Sequence, residues 1–263
     1  MMTISEVIMG KIYTVAIIGC GNRGDGVYNR NICDFFSDRF RVVAVCDMQE
    51  YRAQRAADRA KLSQENVFVS EEEFFKEKRA DVLVVATQDN DHTRMALKGL
   101  ELGYDILCEK PITGKAEECK MLLEAQRKYQ KKVFVSHVLR YAPAFVKVKE
   151  ILDSGVIGKL ISINAIEQVW FGHFAHSFVR GNWRREDETS PIILAKTCHD
   201  LDYIQYYANS KCHTLNSIGA LSYFKPENAP EGATERCLDC PHMETCPYSA
   251  KKIYIDRWKR NPN

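Results

Sequence analysis

The sequence predicts an α/β fold: a doubly wound parallel sheet in the N-terminal half, then a second α+β domain carrying an open, mainly antiparallel sheet. Three observations predict it. Short β-branched runs alternate with helical patterns through the first half, the signature of parallel βαβ units. A glycine-rich turn falls directly between the first such run and the first helical stretch. Beyond residue 136 the alternation stops and longer, differently spaced elements take over.

Taken in order, Ile12 to Ile18 reads as a buried strand, followed by the glycine turn and a helix from Gly24 to Ser37. Arg41 to Cys46 is the second strand and Gln49 to Leu62 the second helix. A short strand at Val67 to Val69 precedes Ser70-Glu71-Glu72-Glu73, where a Ser with a Glu three residues on forms a capping box. Asp81 to Ala86, Tyr104 to Cys108 and Lys132 to Ser136 are the later strands, with helices at Asp91 to Leu102 and Ala116 to Tyr129 between them. This is a domain over 1–136. The second domain, 137–263, opens with a helix at Ala144 to Leu152 and a long strand at Leu160 to Trp170. A polar, aromatic-rich loop from Phe171 to Ser190, a helix from Pro191 to Tyr207 and a strand at Thr214 to Phe224 follow. Two strands make a thin sheet against the usual 4–6, so either this domain is completed elsewhere or the chain is cut short.

Bulk properties narrow the function classes. The chain has 263 residues, 45% hydrophobic and 27% charged, with a net charge of +2, as in a water-soluble globular protein. No face is loaded with Lys and Arg, which argues against nucleic acid. Apolar runs such as Val82 to Ala86 are too short to span a bilayer, and Met1 to Lys11 lacks the basic start and long apolar core of a signal peptide. The cytoplasm is the expected compartment. Of ten cysteines, Cys20, Cys33, Cys46, Cys108 and Cys119 fall within strand and helix patterns and read as small buried thiols.

Gly19-Cys20-Gly21-Asn22-Arg23-Gly24 follows a strand and opens a helix, the context that a G-x-G-x-x-G dinucleotide fingerprint requires. The first glycine permits the tight turn, the second lets the backbone approach a pyrophosphate, and the third allows close helix–strand packing. Asp47, about 20 residues on at the end of the second strand, is the expected carboxylate for the ribose 2′-hydroxyl. It disfavours a 2′-phosphate, and Met48 and Gln49 offer no compensating cation, so NAD is expected ahead of NADP. Glu109-Lys110-Pro111 ends the fifth strand, at the carboxyl edge where ligands bind in open α/β sheets. A lysine there, near a nicotinamide's positive charge, is suited to taking a hydroxyl proton.

Gly19 to Gly24, Ala86-Thr87 with His92, Cys108-Glu109-Lys110-Pro111, Gly155-Val156-Ile157-Gly158-Lys159-Leu160 and His199-Asp200-Leu201-Asp202 resemble, in that order, the glucose–fructose oxidoreductase/inositol dehydrogenase family (Gfo/Idh/MocA). The resemblance implies a Rossmann domain paired with an α+β domain whose sheet faces the substrate and mediates homo-oligomers. It implies NAD(P)-dependent dehydrogenation of sugars, inositols or related polyols. It implies a catalytic role for Lys110 and a proton-transfer role for His199, and cofactor contacts at Gly19, Gly21, Asn22, Arg23, Gly24, Asp47, Thr87, His92, Glu109 and Lys110. It also implies a chain running beyond the position of Asn263. Many family dehydrogenases carry an Asp four residues before the histidine; here Ala195 stands there, with Lys196 beside it as a further catalytic candidate.

His173, His176, Arg180 and Trp183 lie in a loop dense in donors and aromatic rings, the mixture that binds sugars. With His137, Arg140 and Asp200 they form the expected substrate set. Cys237-x-x-Cys240-Pro241-His242-x-x-x-Cys246 has metal-ligand spacing but three thiols. Structural zinc with a fourth ligand from His242, Cys212 or a partner chain, an iron–sulfur cluster, a disulfide and free thiols all stay open. The leading function is hydride transfer between a sugar or polyol and NAD. The alternatives are a glycoside hydrolase or lyase that oxidises a sugar carbon transiently, and a non-catalytic nucleotide-binding relative.

Overall fold

A computed structural model describes residues 10–260. The N-terminal apolar patch, apart from Gly10 and Lys11, and the final Asn261-Pro262-Asn263 lie outside the described residues. The chain divides into two compact units. One takes the chain up to Tyr141 together with Ile193–Cys198; the other holds Ala142–Ile192 and the chain from His199 onward.

In the first unit, β1 (Tyr13–Ile18), β2 (Phe40–Cys46), β3 (Val67–Phe68), β4 (Val82–Val85), β5 (Asp105–Cys108) and β6 (Val133–Val135) form one sheet. The order is β3-β2-β1-β4-β5-β6 and every pairing is parallel. This is the doubly wound arrangement, with its topological switch point between β1 and β4. Along β1 the side chains alternate between two cores. Ala16 and Ile18 join Leu83, Val85, Leu100, Tyr104 and Ile106 on one face, and Val15 and Ile17 join Val42, Val45, Ala56 and Val84 on the other. Both faces are covered, which is why these strands read as continuous apolar runs rather than alternating ones.

The helices are α1 (Arg30–Phe35), led in by a π-helical turn over Gly24–Asn29, then α2 (Glu50–Ala60), α3 (Glu71–Phe74), α4 (His92–Glu101) and α5 (Ala116–Tyr129). Ser70 caps α3 by accepting from Glu73 N, as the sequence predicts. Its hydroxyl donates to Glu72. Of the five cysteines expected to be buried, Cys20, Cys46 and Cys108 are, whereas Cys33 and Cys119 are half-buried on helix flanks.

The second unit contains α6 (Pro143–Asp153), α7 (Phe171–Phe174) and α9 (Cys198–Ala208) from His199 onward, and α10 (Arg257–Arg260); the short α8 (Ile192–Ala195) falls mostly in the first unit. The helix expected over Pro191 to Tyr207 is thus two helices. The expected strands at Leu160 to Trp170 and Thr214 to Phe224 do not form, and no strand follows β6 among the described residues. A strand is stable only when a neighbour takes its N–H and C=O groups. Neither run finds one, and Ile161 and Ile218 stand open to solvent at 84% and 102%. An antiparallel sheet through which copies could associate is therefore absent from the described residues. Aromatic contacts hold this unit together instead. Phe145 meets Tyr203 edge-on at 5.3 Å, Phe174 stacks on Phe224 at 5.6 Å, and Phe171 meets Tyr248 at 5.7 Å.

Within the sheet core, α4 presses its Gly99 onto β4 and β5. A methyl group there would stand 2.7 Å from Ile106 Cδ1 and 2.8 Å from Leu83 Cδ2. Gly99→Ala should lower stability by about 1–3 kcal/mol through overpacking, measured by urea denaturation; an unchanged midpoint would show that the helix backs away freely.

Candidate active site

The glycine turn is built by three different constraints. Gly19 sits at φ +89° with its Cα facing the chain after β4, where a Cβ would be 2.5 Å from Ala86 C and O. Gly24 is tighter still: a Cβ would stand 1.9 Å from the Gly19 carbonyl oxygen. Gly21 differs, because a Cβ there would meet no protein atom within 4 Å. Packing dictates the first and third glycines, while the space over the second is open, as a cradle for a pyrophosphate needs. Residues present therefore fit a dinucleotide.

Asp47, at the end of β2, is buried and turned toward this loop. Its Oδ2 accepts from Cys20 N at 2.7 Å and its Oδ1 from Gln49 N at 2.8 Å. Beneath the turn, Asp25 is 2% exposed and accepts from Arg55 Nε at 2.8 Å, Arg59 Nε at 3.0 Å and Asn29 Nδ2 at 3.0 Å. Arg55 also donates to Cys20 O at 3.2 Å. The loop is thus strapped to α2 from below and to β2 from the side. Burial, with Asp47 close by, pushes the Cys20 thiol well above its ordinary value, and Cys46 rises to about 12 for the same reasons. Both thiols stay protonated and inert.

At the carboxyl end of β5, Glu109 is buried and saturated with donors. Arg23 Nε, Arg23 Nη2 and the Tyr28 hydroxyl all reach its Oε1 at 2.7 Å, and Lys110 N donates to Oε2 at 3.1 Å. Tyr28 further shares a short hydrogen bond with Ser136, just past β6. Lys110, whose peptide bond to Pro111 is cis, sends its Nζ to Ala195 O at 2.8 Å. That carbonyl stands at the position where the resemblance expects a carboxylate. His92 is buried, with Nδ1 2.8 Å from Pro111 O and Nε2 3.2 Å from Thr87 O. Both ring nitrogens of His92 and the Glu109 carboxylate thus have partners within the protein, at the ends of the strands. Thr87, Asn22 and Arg23 remain accessible at the loop. Lys196, His137 and Arg140 also belong to this unit.

In the other unit His199 is half-buried on α9, and the neighbouring Asp200 is buried and accepts from Tyr203 OH at 3.1 Å. His173 is exposed and Trp183 half-buried, with its ring 6.5 Å from Phe178. His176 Nδ1 lies 2.7 Å from Tyr254 OH, and Arg180 donates to the Tyr248 carbonyl. The expected metal site is not assembled: among the described residues no three His, Cys, Asp or Glu side chains converge to hold an ion. His242 is committed to Glu231 O at 2.8 Å, and Cys237, Cys240 and Cys246 are free thiols. Backbone hydrogen bonds at Thr234 and His242 hold the Cys240 thiol below its ordinary value. No described helix is long and apolar enough to cross a membrane.

Residues 13–137 match the oxidoreductase family GFO_IDH_MocA, NAD-binding Rossmann fold. Those residues are similar to the NAD-binding domain of the Gfo/Idh/MocA family. YteT of Bacillus subtilis, an oxidoreductase by name, is 25% identical over 247 residues, covering 90% of this chain and 57% of YteT. Inositol 2-dehydrogenase of Salmonella typhimurium is 27% identical over 175 residues, 66% of this chain and 48% of the enzyme. The chain spans about half the length of the curated relatives it matches. In fold it resembles myo-inositol 2-dehydrogenase of Lactobacillus plantarum, with a TM-score of 0.64 at 19% identity over 76% of this chain and 57% of that one.

The motif reading misses Tyr28, Ser136 and the Asp25–Arg55–Arg59 clamp, since each pairs residues far apart in sequence with no shared spacing. Burial and the nearby Glu109 push the Tyr28 phenol from 10.0 up to about 12. Between those values the folded chain keeps a proton that the unfolded chain has lost, so this contribution to stability is complete below pH 10.0 and disappears as pH rises through about 12. Tyr28→Phe should accordingly flatten the fall in stability over that window, read by urea denaturation at stepped pH. Parallel curves for the two proteins would mean that Tyr28 is not the group responsible.

Proposed function

We propose that this chain is an NAD-dependent oxidoreductase acting on a hydroxyl-bearing carbon of a sugar, inositol or related polyol. The observation that carries the reading is Lys110 at the carboxyl edge of β5, its main-chain amide tied through Glu109 and Arg23 to the turn that opens over Gly21 and its Nζ held by Ala195 O. When bound, a nicotinamide supplies the hydride acceptor or donor. Gly19, Gly21, Asn22, Arg23, Gly24 and Thr87 line the dinucleotide, with loop amides and the start of the helix turned to its phosphates. Asp47 hydrogen-bonds the adenosine ribose and its fixed charge opposes a 2′-phosphate. Lys110, held in place by Ala195 O, and His199 are the two candidates to take the one hydroxyl proton released on oxidation, with Lys196 as a third. His137, Arg140, His173, His176, Arg180 and Trp183 orient the hydroxyls.

A second reading deserves its own arm in the test, because the partner of Lys110 is a neutral carbonyl where family dehydrogenases have an acid. A hydrolase or lyase that oxidises its sugar transiently would need NAD and release no net NADH. Incubating sugars, inositols and aryl glycosides with NAD, while following absorbance and product together, separates the two. Net NADH with a ketone product supports dehydrogenation; product without NADH supports the hydrolase.

Two variants probe the proton relay. Lys110→Ala and His199→Ala should each slow turnover by about 10²-fold or more with a much smaller effect on NAD affinity, and near-normal rates in either would remove its role. Calorimetric titration with both cofactors should give tighter binding of NAD than of NADP, the difference shrinking in Asp47→Ser; tighter binding of NADP by the unaltered chain would refute the assignment of Asp47.

A further inference from the structure

Arg180 is half-buried, and no ion pair joins it to an Asp or Glu among the described residues. Its Nη2 donates to the Tyr248 carbonyl, while Nη1 is buried and has no acceptor there. Acids on the segments around Arg180 and Tyr248 have cations of their own: Asp187 and Glu188 pair with Arg185, and Glu244 and Asp256 with Lys251. The guanidinium lies 5.9 Å from the centre of the Tyr254 ring, and the Tyr254 hydroxyl is fixed 2.7 Å from His176 Nδ1.

A guanidinium is always charged and carries five N–H groups in a rigid planar fork. Withdrawing one edge of that fork from water without giving it an acceptor is costly. A side chain serving only to brace Tyr248 through one nitrogen would leave that cost uncompensated. A group that matches an unpaired guanidinium edge in charge and shape is a carboxylate. A phosphate carries about −1.5 to −2 charge at neutral pH and would be only partly neutralised by one guanidinium. The aromatic face of Tyr254 near the guanidinium suits the C–H surface of a sugar ring.

We propose that Arg180 recognises a carboxylate and that the substrate of this protein is a sugar acid, such as a hexuronate or a related polyhydroxy acid. The proposal rests on the oxidoreductase reading above and narrows its substrate class. Calorimetry on the NADH-loaded protein with D-galacturonate against D-galactose, D-glucuronate against D-glucose, and the corresponding 6-phosphates tests it. At least one acid should bind about 10- to 100-fold more tightly than its neutral partner, the range expected for a charge-assisted hydrogen bond. Arg180→Gln should bring that ratio close to one. Arg180→Lys, which keeps the charge and loses the fork, should retain part of it.

A neutral sugar bound as tightly as its acid, a 6-phosphate bound more tightly than the acid, or a ratio unchanged in Arg180→Gln would each overturn the proposal. Circular dichroism and NADH binding check that the variants fold; if Arg180→Gln does not, the acid-to-neutral ratio of the unaltered chain and of Arg180→Lys decides. The two readings fail differently. Net NADH from neutral sugars with no preference for acids removes the carboxylate site and leaves the oxidoreductase. Tight, Arg180-dependent binding of an acid with no turnover of any sugar keeps the site and removes the oxidoreductase.

Discussion

The third glycine of the turn touches the first. With the Gly24 Cα so placed that any side chain would stand 1.9 Å from the Gly19 carbonyl oxygen, the helical segment after β1 is seated directly on the strand it follows. From that contact the rest of the unit takes its geometry. Gly19 N reaches Cys46 O at 2.8 Å, keeping β2 in line, and the Gly19 Cα abuts the backbone after β4. Of the three glycines, it is Gly21 over which the turn stands open. Two carboxylates then hold the turn from opposite sides, Asp25 through α2 and Asp47 through the Cys20 amide.

Buried acids are organised differently at the two ends of the site. Asp25 and Glu109 each lie at 5% exposure or less and are met by arginines, which suits groups whose charge would otherwise be stranded. Asp47 instead accepts from two main-chain amides, Cys20 N and Gln49 N, at the end of β2. Two of the acids are neutralised by arginines, and the third is held by the backbone of the loops it joins. Lys110 completes the contrast, a cation whose partner is a neutral carbonyl.

The parallel sheet was legible in the sequence because local signals and global packing agree there. A strand buried on both faces must be apolar throughout, and the turn after β1 must be glycine, so every element from Tyr13 to Val135 announced itself within a residue or two. Lys110 and the glycine turn were legible for the same reason, being tied to strand ends. Tyr28, Ser136 and Arg55 were not, because their roles arise from pairings 30 to 108 residues apart that no period encodes. Leu160 to Trp170 was misread for a different reason. The β-branched Ile161, Ile163 and Ile166 carry strand propensity, and propensity names a conformation without supplying the neighbour that stabilises it.

A main-chain acceptor is genetically silent. Substituting Ala195 changes its methyl group and leaves its carbonyl where α8 ends, so no single codon change deletes the oxygen that receives the Lys110 ammonium. Ala195 is itself buried, so a saturation scan would read intolerance there as crowding around its methyl group and would hide the carbonyl's part in the interaction. Selection acting on that contact must work through whatever fixes the backbone path of α8, and its footprint should be sought in the helix's packing residues rather than at position 195.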